Sequence, residues 1–391
     1  MGRTEPSVGR APAAFRKDAR AKKAKATLNQ LIPSLLSAHP RARRGIDAAE
    51  LIVNPPPKQR TAEDKTSANQ DGSVTLAGGI GPRLSLQAAD TLTAAHSLLF
   101  RETASGVTVD LSNKHARVVI LNMASPLSPG GGFLNGAGSQ EESLCMRTTL
   151  LPSLKDEYYR LPELGVVFTP DVLVFRDESA ENVLEKSDRW FVDCITAAML
   201  RGPETDVSDL GRGSYANEKD REMALQKMKM VLRVCQAKGV KRVVLGAWGC
   251  GAYGNPVGEV ARAWRKVLLP RKDGKGKQKG TKETWDGLEE VVFAIKDKGM
   301  AEAFATAFGE GLVREEAVDA DSDEDEEDDP KEINRRGLQD KIDELEKRIN
   351  AARDSKVQEG LRSILEGLKK QLPEGESLED DVSSSDGNEG I

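Results

Sequence analysis

Two stretches of this chain repeat one local design, and few folds accommodate both. ARVVILNM, 116–123, is a nearly continuous apolar run followed by PGGGFLNGAGSQEESLC, 129–145. VKRVVL, 240–245, is a second such run, followed by GAWGCGAYGNP, 246–256, and then by the helix-forming VGEVARAWRKVLL. An apolar strand that does not alternate with polar residues is buried on both faces of a sheet. A chain that leaves such a strand through clustered glycines and enters a helix brings backbone N–H groups and a helix N-terminus close to an anion. Glycine is the costliest residue to order, so Gly130, Gly131, Gly132, Gly136 and Gly138 ahead of Glu141 and Glu142 call for a ligand rather than a linker. Neither stretch is a P-loop or a dinucleotide fingerprint, because no GK[ST] follows and no GxGxxG opens the helix. Two such units are what holding a diphosphate from two sides requires.

The surrounding pattern predicts helices over 14–38 (Leu28, Leu31, Ile32, Leu35 and Leu36 on one stripe), 84–100, 141–154 and 217–239, the last capped by Gly239. A further helix begins after GAWGCGAYGNP, with Asn255 as its N-cap and Pro256 in its first turn. Strands are expected in GVTVD, in 116–123, 171–178, 190–199 and 240–248, and in 289–297, before a last helix in GMAEAFATAFGEGL. Strands alternating with helices predict a mixed or parallel sheet covered on both sides. Only 4% of residues are aromatic while 31% are charged, which excludes a Tyr- and Trp-rich β-sandwich and leaves room for unstructured extensions. The net charge of −6 averages a basic start (RKDARAKKAK, RARR) against an acidic end (DADSDEDEEDDP, ESLEDD).

The four cysteines form no CxxC pair and the three histidines lie apart, so neither a disulfide framework nor a metal site is expected. Without an apolar leader or a membrane-length run, an intracellular protein, cytoplasmic or nuclear, is expected. The basic N-terminus reads as a nuclear signal, a nucleic-acid contact or a solvated helix face.

Asn122, Pro129 to Gly132, Gly136, Gln140-Glu141-Glu142 and Leu144-Cys145 together resemble the signature of the microbial-type poly(ADP-ribose) glycohydrolases, GGG, a short spacer, then QEE. GAWGCGAYGNP is similar to that family's second diphosphate loop. The resemblance spans roughly 15–312 and implies an α/β macrodomain-like fold, a mixed sheet flanked by helices. It implies hydrolysis of the ribose–ribose O-glycosidic bond of poly(ADP-ribose), with Glu142 as catalytic acid and Glu141 positioning the substrate. It further implies substrate contacts from Asn122, Gly130, Gly131, Gly132, Gln140, Gly249, Cys250, Gly251, Ala252 and Tyr253, with no metal and no cofactor. Tyr253 stands where the family usually has phenylalanine, and Met123 and Met146 where it more often has an aromatic residue and an arginine. A protonated Glu142 near neutrality requires a raised pKa. The alternatives are an ADP-ribose reader without turnover and a mono-ADP-ribosyl hydrolase. The partner is poly(ADP-ribose) or an ADP-ribosylated protein, with no membrane.

The expected organisation is a disordered basic N-terminus at 1–14 and the catalytic domain at 15–312, carrying a surface insertion at 270–284. Beyond it come an acidic disordered linker at 313–332, a helical hairpin or coiled-coil segment at 333–372 suited to a protein partner, and a disordered acidic tail at 373–391. The helical segment rests on Leu338, Ile342, Leu345, Ile349 and Ala352, which recur at alternating spacings of four and three.

Overall fold

The computed structural model describes residues 13–57, 81–103, 106–109, 117–207, 213–269 and 283–315, and isolated helical positions between 342 and 369. The expected disordered start at 1–14, the insertion at 270–284, the acidic linker and the tail lie wholly or mostly outside the described residues.

In chain order the elements are α1 (Ala13–Ala26), α2 (Ile32–Ala38), α3 (Pro40–Asp47), β1 (Glu50–Val53), β2 (Arg83–Gln87), α4 (Thr91–Ser97), β3 (Phe100–Thr103), β4 (Gly106–Val109), β5 (Val118–Met123) and α5 (Gln140–Arg147). They continue with β6 (Gly165–Val174), β7 (Trp190–Ala197), β8 (Thr205–Val207), β9 (Gly213–Tyr215), α6 (Glu218–Ala237), β10 (Arg242–Leu245), α7 (Val257–Leu268), β11 (Glu290–Ala294), α8 (Lys298–Phe308) and β12 (Val313–Glu315). Eight strands form one mixed sheet in the order β1-β6-β7-β5-β10-β11-β2-β12, and β3-β4 and β8-β9 are separate two-stranded ribbons. From β7 to β12 every pairing is parallel, whereas β6 runs antiparallel to both β7 and β1.

The apolar run of β5 is explained by what covers it. Val119 and Leu121 join the core beneath α6, α7 and α8. Val118 and Ile120 join a second core with Leu92, Ala94 and Ala95 of α4 and Leu144 of α5. Successive strand side chains point to opposite faces, so a strand covered on both sides has no polar position to spare. Aromatic rings fill the first core: Trp248 stacks on Trp264 at 6.3 Å, and Phe293 meets Phe304 at 4.9 Å.

The structure departs from the expected elements in instructive places. The segment 84–100 is a strand followed by a short helix. The Asp90 carboxylate accepts from Leu92 N and Thr93 N, so α4 begins there, and Leu84 to Leu86 are buried in the sheet. The strand expected over 171–178 begins earlier, at Gly165, and its register with β7 shifts between Thr169 and Val172. β12 lies past the expected domain boundary at 312. It pairs with β2, and Glu315 is bonded to Arg83 and Gln87.

Residues 326–391 form a separate compact unit. Within it Ile342 and Ile349, seven residues apart, are buried, and Gln358 Nε2 donates to Ile349 O. The rest of the expected helical segment lies outside the described residues. Among the described residues no helix is long and apolar enough to cross a membrane.

α1 runs through a π-helical turn, Thr27–Leu31, into α2 and seats on the loop after β5. Gly136 has φ +76°, and a Cβ on it would lie 2.1 Å from the Lys17 carbonyl oxygen. Gly136→Ala therefore meets both an unfavourable backbone conformation and a backbone collision, each with a named cost. The expected loss is about 2–4 kcal/mol, read as a lower midpoint in a thermal melt. An unchanged melt would show that α1 does not sit against this loop.

Candidate active site

The site forms at the carboxyl ends of β5, β7 and β10, where loops leave neighbouring parallel strands in the same direction. After β5, Ala124 N still donates to Ala197 O at 3.0 Å, and the chain then turns away from the sheet. Ser125 Oγ accepts from Leu127 N and Ser128 N, a local turn that sets up the glycines. Gly130 and Gly131 have φ values of +69° and +56°, which favour residues without a side chain.

The reason for Gly131 is close approach. A Cβ there would lie 2.6 Å from Glu142 Oε1 and 2.9 Å from Glu141 Oε2. The two carboxyl groups therefore converge on one backbone position from the same side. Gly132 N donates to Glu142 Oε1 at 2.7 Å, Ser125 N to Glu141 Oε2 at 2.8 Å, and Asn122 Nδ2 to Glu141 Oε1 at 3.3 Å. Both glutamates are in the first turn of α5 and both are buried. Acidic residues favour that position in water, but burial adds a desolvation cost that hydrogen bonds or a proton must offset.

That cost falls visibly on Glu141. Its pKa is raised from 4.5 to about 8, chiefly by burial and in part by the charge of Glu142. Hydrogen bonds from Ser125, Asn122 and the Gly130 backbone pull the other way. Glu142, for which the sequence reading expects a raised pKa, is its immediate neighbour.

Three residues expected to touch substrate lie within the framework. Asn122 is fully buried and directs its Nδ2 to Glu141 Oε1 and Thr196 Oγ1, so it orients the carboxyl from behind. Gln140 accepts from Met123 N at 2.9 Å and donates to Leu121 O at 2.8 Å and Thr91 Oγ1 at 3.0 Å. It ties the start of α5 to the end of β5 and to α4. Gly130 packs against Leu151 and Cys145, where a Cβ would lie 2.7 Å from Leu151 Cδ1.

The second loop is held from below by Asn255. The structure makes Pro256, not Asn255, the N-cap of α7. Asn255 Nδ2 instead donates to Leu200 O at 2.7 Å and Gly249 O at 3.0 Å, and its Oδ1 accepts from the Tyr215 hydroxyl at 2.9 Å. The side chain is engaged in holding the loop and makes no capping bond to the helix. Gly249, at φ +77°, lies so close that a Cβ would meet Asn255 Nδ2 at 2.6 Å. Cys250 is half-buried, and the upper part of the loop is open. Gly251 and Ala252 are exposed, and nothing lies within 4 Å of a Cβ on Gly251. The backbone N–H groups of Gly251, Ala252 and Tyr253 have no hydrogen-bond partner among the described residues. Such a run of unengaged amides is a place for an anion.

The two loops meet through Tyr253, whose hydroxyl interacts with Ser125 and is pushed up to about 12, chiefly by burial. Arg201, four residues past the end of β7, lies 5.9 Å from the Tyr253 ring, and Gly202 N donates to Tyr253 O. Ser125 and Arg201 were not singled out from the sequence. Ser125 comes two residues after the strand expected over 116–123, whose glycine loop is the signal that would have found it, whereas Arg201 follows the strand expected over 190–199, which carries no such signal. Arg201 and Pro126 also line a hollow of about 410 Å³ beside α6, which neither glutamate reaches. Among the described residues no group of three or more His, Cys, Asp or Glu is placed to hold a metal ion.

Because Glu141 keeps a proton in the folded chain that the unfolded chain releases, stability is expected to fall as pH rises from about 4.5 through 8. The slope from this group is about 1.4 kcal/mol per pH unit. Glu141→Gln should flatten the dependence of the melting midpoint on pH between 5 and 8, roughly the interval bounded by the two pKa values. An identical profile in the variant would show that Glu141 is ionised throughout.

With this geometry in hand, known proteins supply a comparison. Residues 53–177 match the family model described as the catalytic domain of microbial-type PARG. The crystal structure of poly(ADP-ribose) glycohydrolase from Thermomonospora curvata covers 74% of this chain and 100% of its own, with 25% identity and a TM-score of 0.51. The same enzyme bound to the inhibitor ADP-HPD has the same coverage, 24% identity and a TM-score of 0.50. The enzyme from Deinococcus radiodurans in complex with ADP-ribose covers 68% of this chain and 96% of its own, with 23% identity and a TM-score of 0.45. No curated protein matches the sequence.

Proposed function

We infer that the chain is a poly(ADP-ribose) glycohydrolase of the microbial type, cleaving the ribose–ribose O-glycosidic bond of the polymer to release ADP-ribose. The observation that carries this reading is the buried carboxyl pair packed against Gly131, beside a second loop with three unengaged amides. A module that only bound ADP-ribose would gain nothing from burying two acids at the end of a strand.

Glu142 is assigned the proton transfer. Its Oε1 is fixed by the Gly132 amide, which sets the direction of the carboxyl group at the glycine loop. The Glu142 carboxyl gives its proton to the departing ribose oxygen as the C–O bond breaks, and positive charge develops at the anomeric carbon. Water attacks that carbon, and its released proton restores the acid. Glycosidases commonly place two carboxyls on either side of the bond, roughly 5–9 Å apart. Glu141 and Glu142 cannot straddle a bond in that way, since both reach the same side of Gly131. Glu141, held by Ser125 and Asn122, is assigned to positioning, toward a ribose hydroxyl.

The diphosphate is assigned to the amides of Gly251, Ala252 and Tyr253, with the backbone of Gly130 to Gly132 on the other side. The Tyr253 ring packs on the terminal ribose, and Gly249 and Cys250 shape the base of the loop. Asn122 and Gln140 serve this site by holding Glu141 and α5 in place.

Glu142→Gln preserves shape and removes the proton donor. Turnover of polymer is expected to fall by roughly 10²–10⁴ while ADP-ribose affinity stays within a few-fold. Turnover by the variant within threefold of the native chain would refute the assignment. Comparing product released from polymer with that from mono-modified protein separates this reading from a mono-ADP-ribosyl hydrolase.

Gly251→Val tests the second loop without the usual confusion with folding. Its φ lies outside the left-handed region and its surroundings are open, so the thermal melt should change little. Contacts of an anion with oriented amides are worth on the order of 1.5–3 kcal/mol each, so losing two should weaken ADP-ribose by about a hundredfold or more. Calorimetric titration measures this, and unchanged affinity would make the loop a simple turn.

A further inference from the structure

Helix α1 carries six cations, Arg16, Lys17, Arg20, Lys22, Lys23 and Lys25, against one carboxylate, Asp18. Its position relative to the site is set by backbone contact. Arg20 Nε donates to Gly136 O at 2.8 Å, the Lys17 carbonyl abuts Gly136, and Ala24 is buried with Phe133, Cys145 and Met146. From Gly136 the path to the catalytic acid is short. Ala137 N donates to Gly132 O at 3.2 Å, and Gly132 N donates to Glu142 Oε1 at 2.7 Å. α1 is thus one loop's thickness from the carboxyl pair, and it lies outside the residues matched by the family model.

These cations are poorly compensated. Lys23 pairs with Glu181 at 2.6 Å, and Arg20 is engaged with a carbonyl. Among the described residues Arg16, Lys17, Lys22 and Lys25 make no ion pair, and Lys22 and Lys25 are exposed. Elsewhere the surface is differently balanced: Arg221 on α6 is bonded to both Glu218 and Glu259. Clustered positive charge without counter-charge repels itself and raises the local concentration of polyanions.

We propose that α1 is an anchoring face for the poly(ADP-ribose) strand beyond the unit held in the site, its free lysines and Arg16 meeting the diphosphates of neighbouring units. This rests on poly(ADP-ribose) being the substrate. Each unit of that polymer brings another diphosphate, so an anchoring face distinguishes long substrates from short ones and leaves the chemistry alone.

The test is the combined variant Arg16→Gln, Lys17→Gln, Lys22→Gln and Lys25→Gln in the full chain. Glutamine is close to lysine and arginine in helix propensity, so α1 should persist, and circular dichroism checks that it does. On long polymer KM is expected to rise roughly tenfold or more. By analogy with single-stranded polyanions, its logarithmic salt dependence should become shallower by about 3, roughly 0.7 for each cation removed. On the dimer of ADP-ribose kcat and KM should stay unchanged. An equal loss on the dimer would overturn the proposal, as would an unchanged KM and salt slope on long polymer. If the native chain hydrolyses neither substrate, the activity assignment fails, and filter retention of polymer by native and variant chains still decides the face. A variant that loses duplex DNA while retaining polymer would assign α1 to nucleic acid and overturn the proposal.

Discussion

Glu141 and Glu142 meet the backbone of Gly131 at distances that leave no room for a side chain, and much of the surrounding structure follows from that contact. Two carboxyl groups taken out of water beside each other are stable only if hydrogen bonds or a proton compensate them. Ser125 N, Asn122 Nδ2 and Gly132 N supply the bonds, and the upward shift of Glu141 supplies the proton. For those donors to converge, β5 must end at Met123, the loop must turn at Ser125, and α5 must start against the strand. Gln140 secures the last condition by bonding to Met123 N and Leu121 O.

The second loop solves a different problem. An anion site needs amides that are not used by the fold, yet the loop that bears them must be rigid. Asn255 separates the two requirements. By bonding to Leu200 O, Gly249 O and the Tyr215 hydroxyl it fixes the base of the loop, while the amides of Gly251 to Tyr253 have no partner among the described residues. The tight packing of Gly249 and the open surroundings of Gly251 are the two ends of that division. The first loop is braced from outside in a comparable way, with α1 seated on Gly136.

Much of this fold can be read in the residues. Val118 to Leu121 and Val243 to Leu245 are apolar without alternation because both faces of the sheet are covered, and the glycine clusters after them mark the strand ends where the loops emerge. The adjacency of Glu141 and Glu142 already argues against a pair of carboxyls across one bond. The segment 84–100 misleads because its small and apolar residues suit either a buried strand or a helix. The capping carboxylate of Asp90 divides it, and that depends on the sheet having a place for β2.

The sequence by itself determined a mixed or parallel α/β sheet, two glycine loops each following an apolar strand and an acidic pair at the start of a helix, because periodicity and glycine placement are local properties. Only the tertiary structure decided which polar side chains serve the fold and which remain for chemistry. Asn122 turns inward to Glu141, Gln140 binds a strand end, and Asn255 gives up the N-cap to hold three segments together. It also decided that burial raises Glu141, and that the basic helix α1 lies against the glycine loop after β5. These outcomes depend on residues tens of positions apart meeting in a dry interior, where desolvation and hydrogen-bond geometry, rather than local preference, select the arrangement.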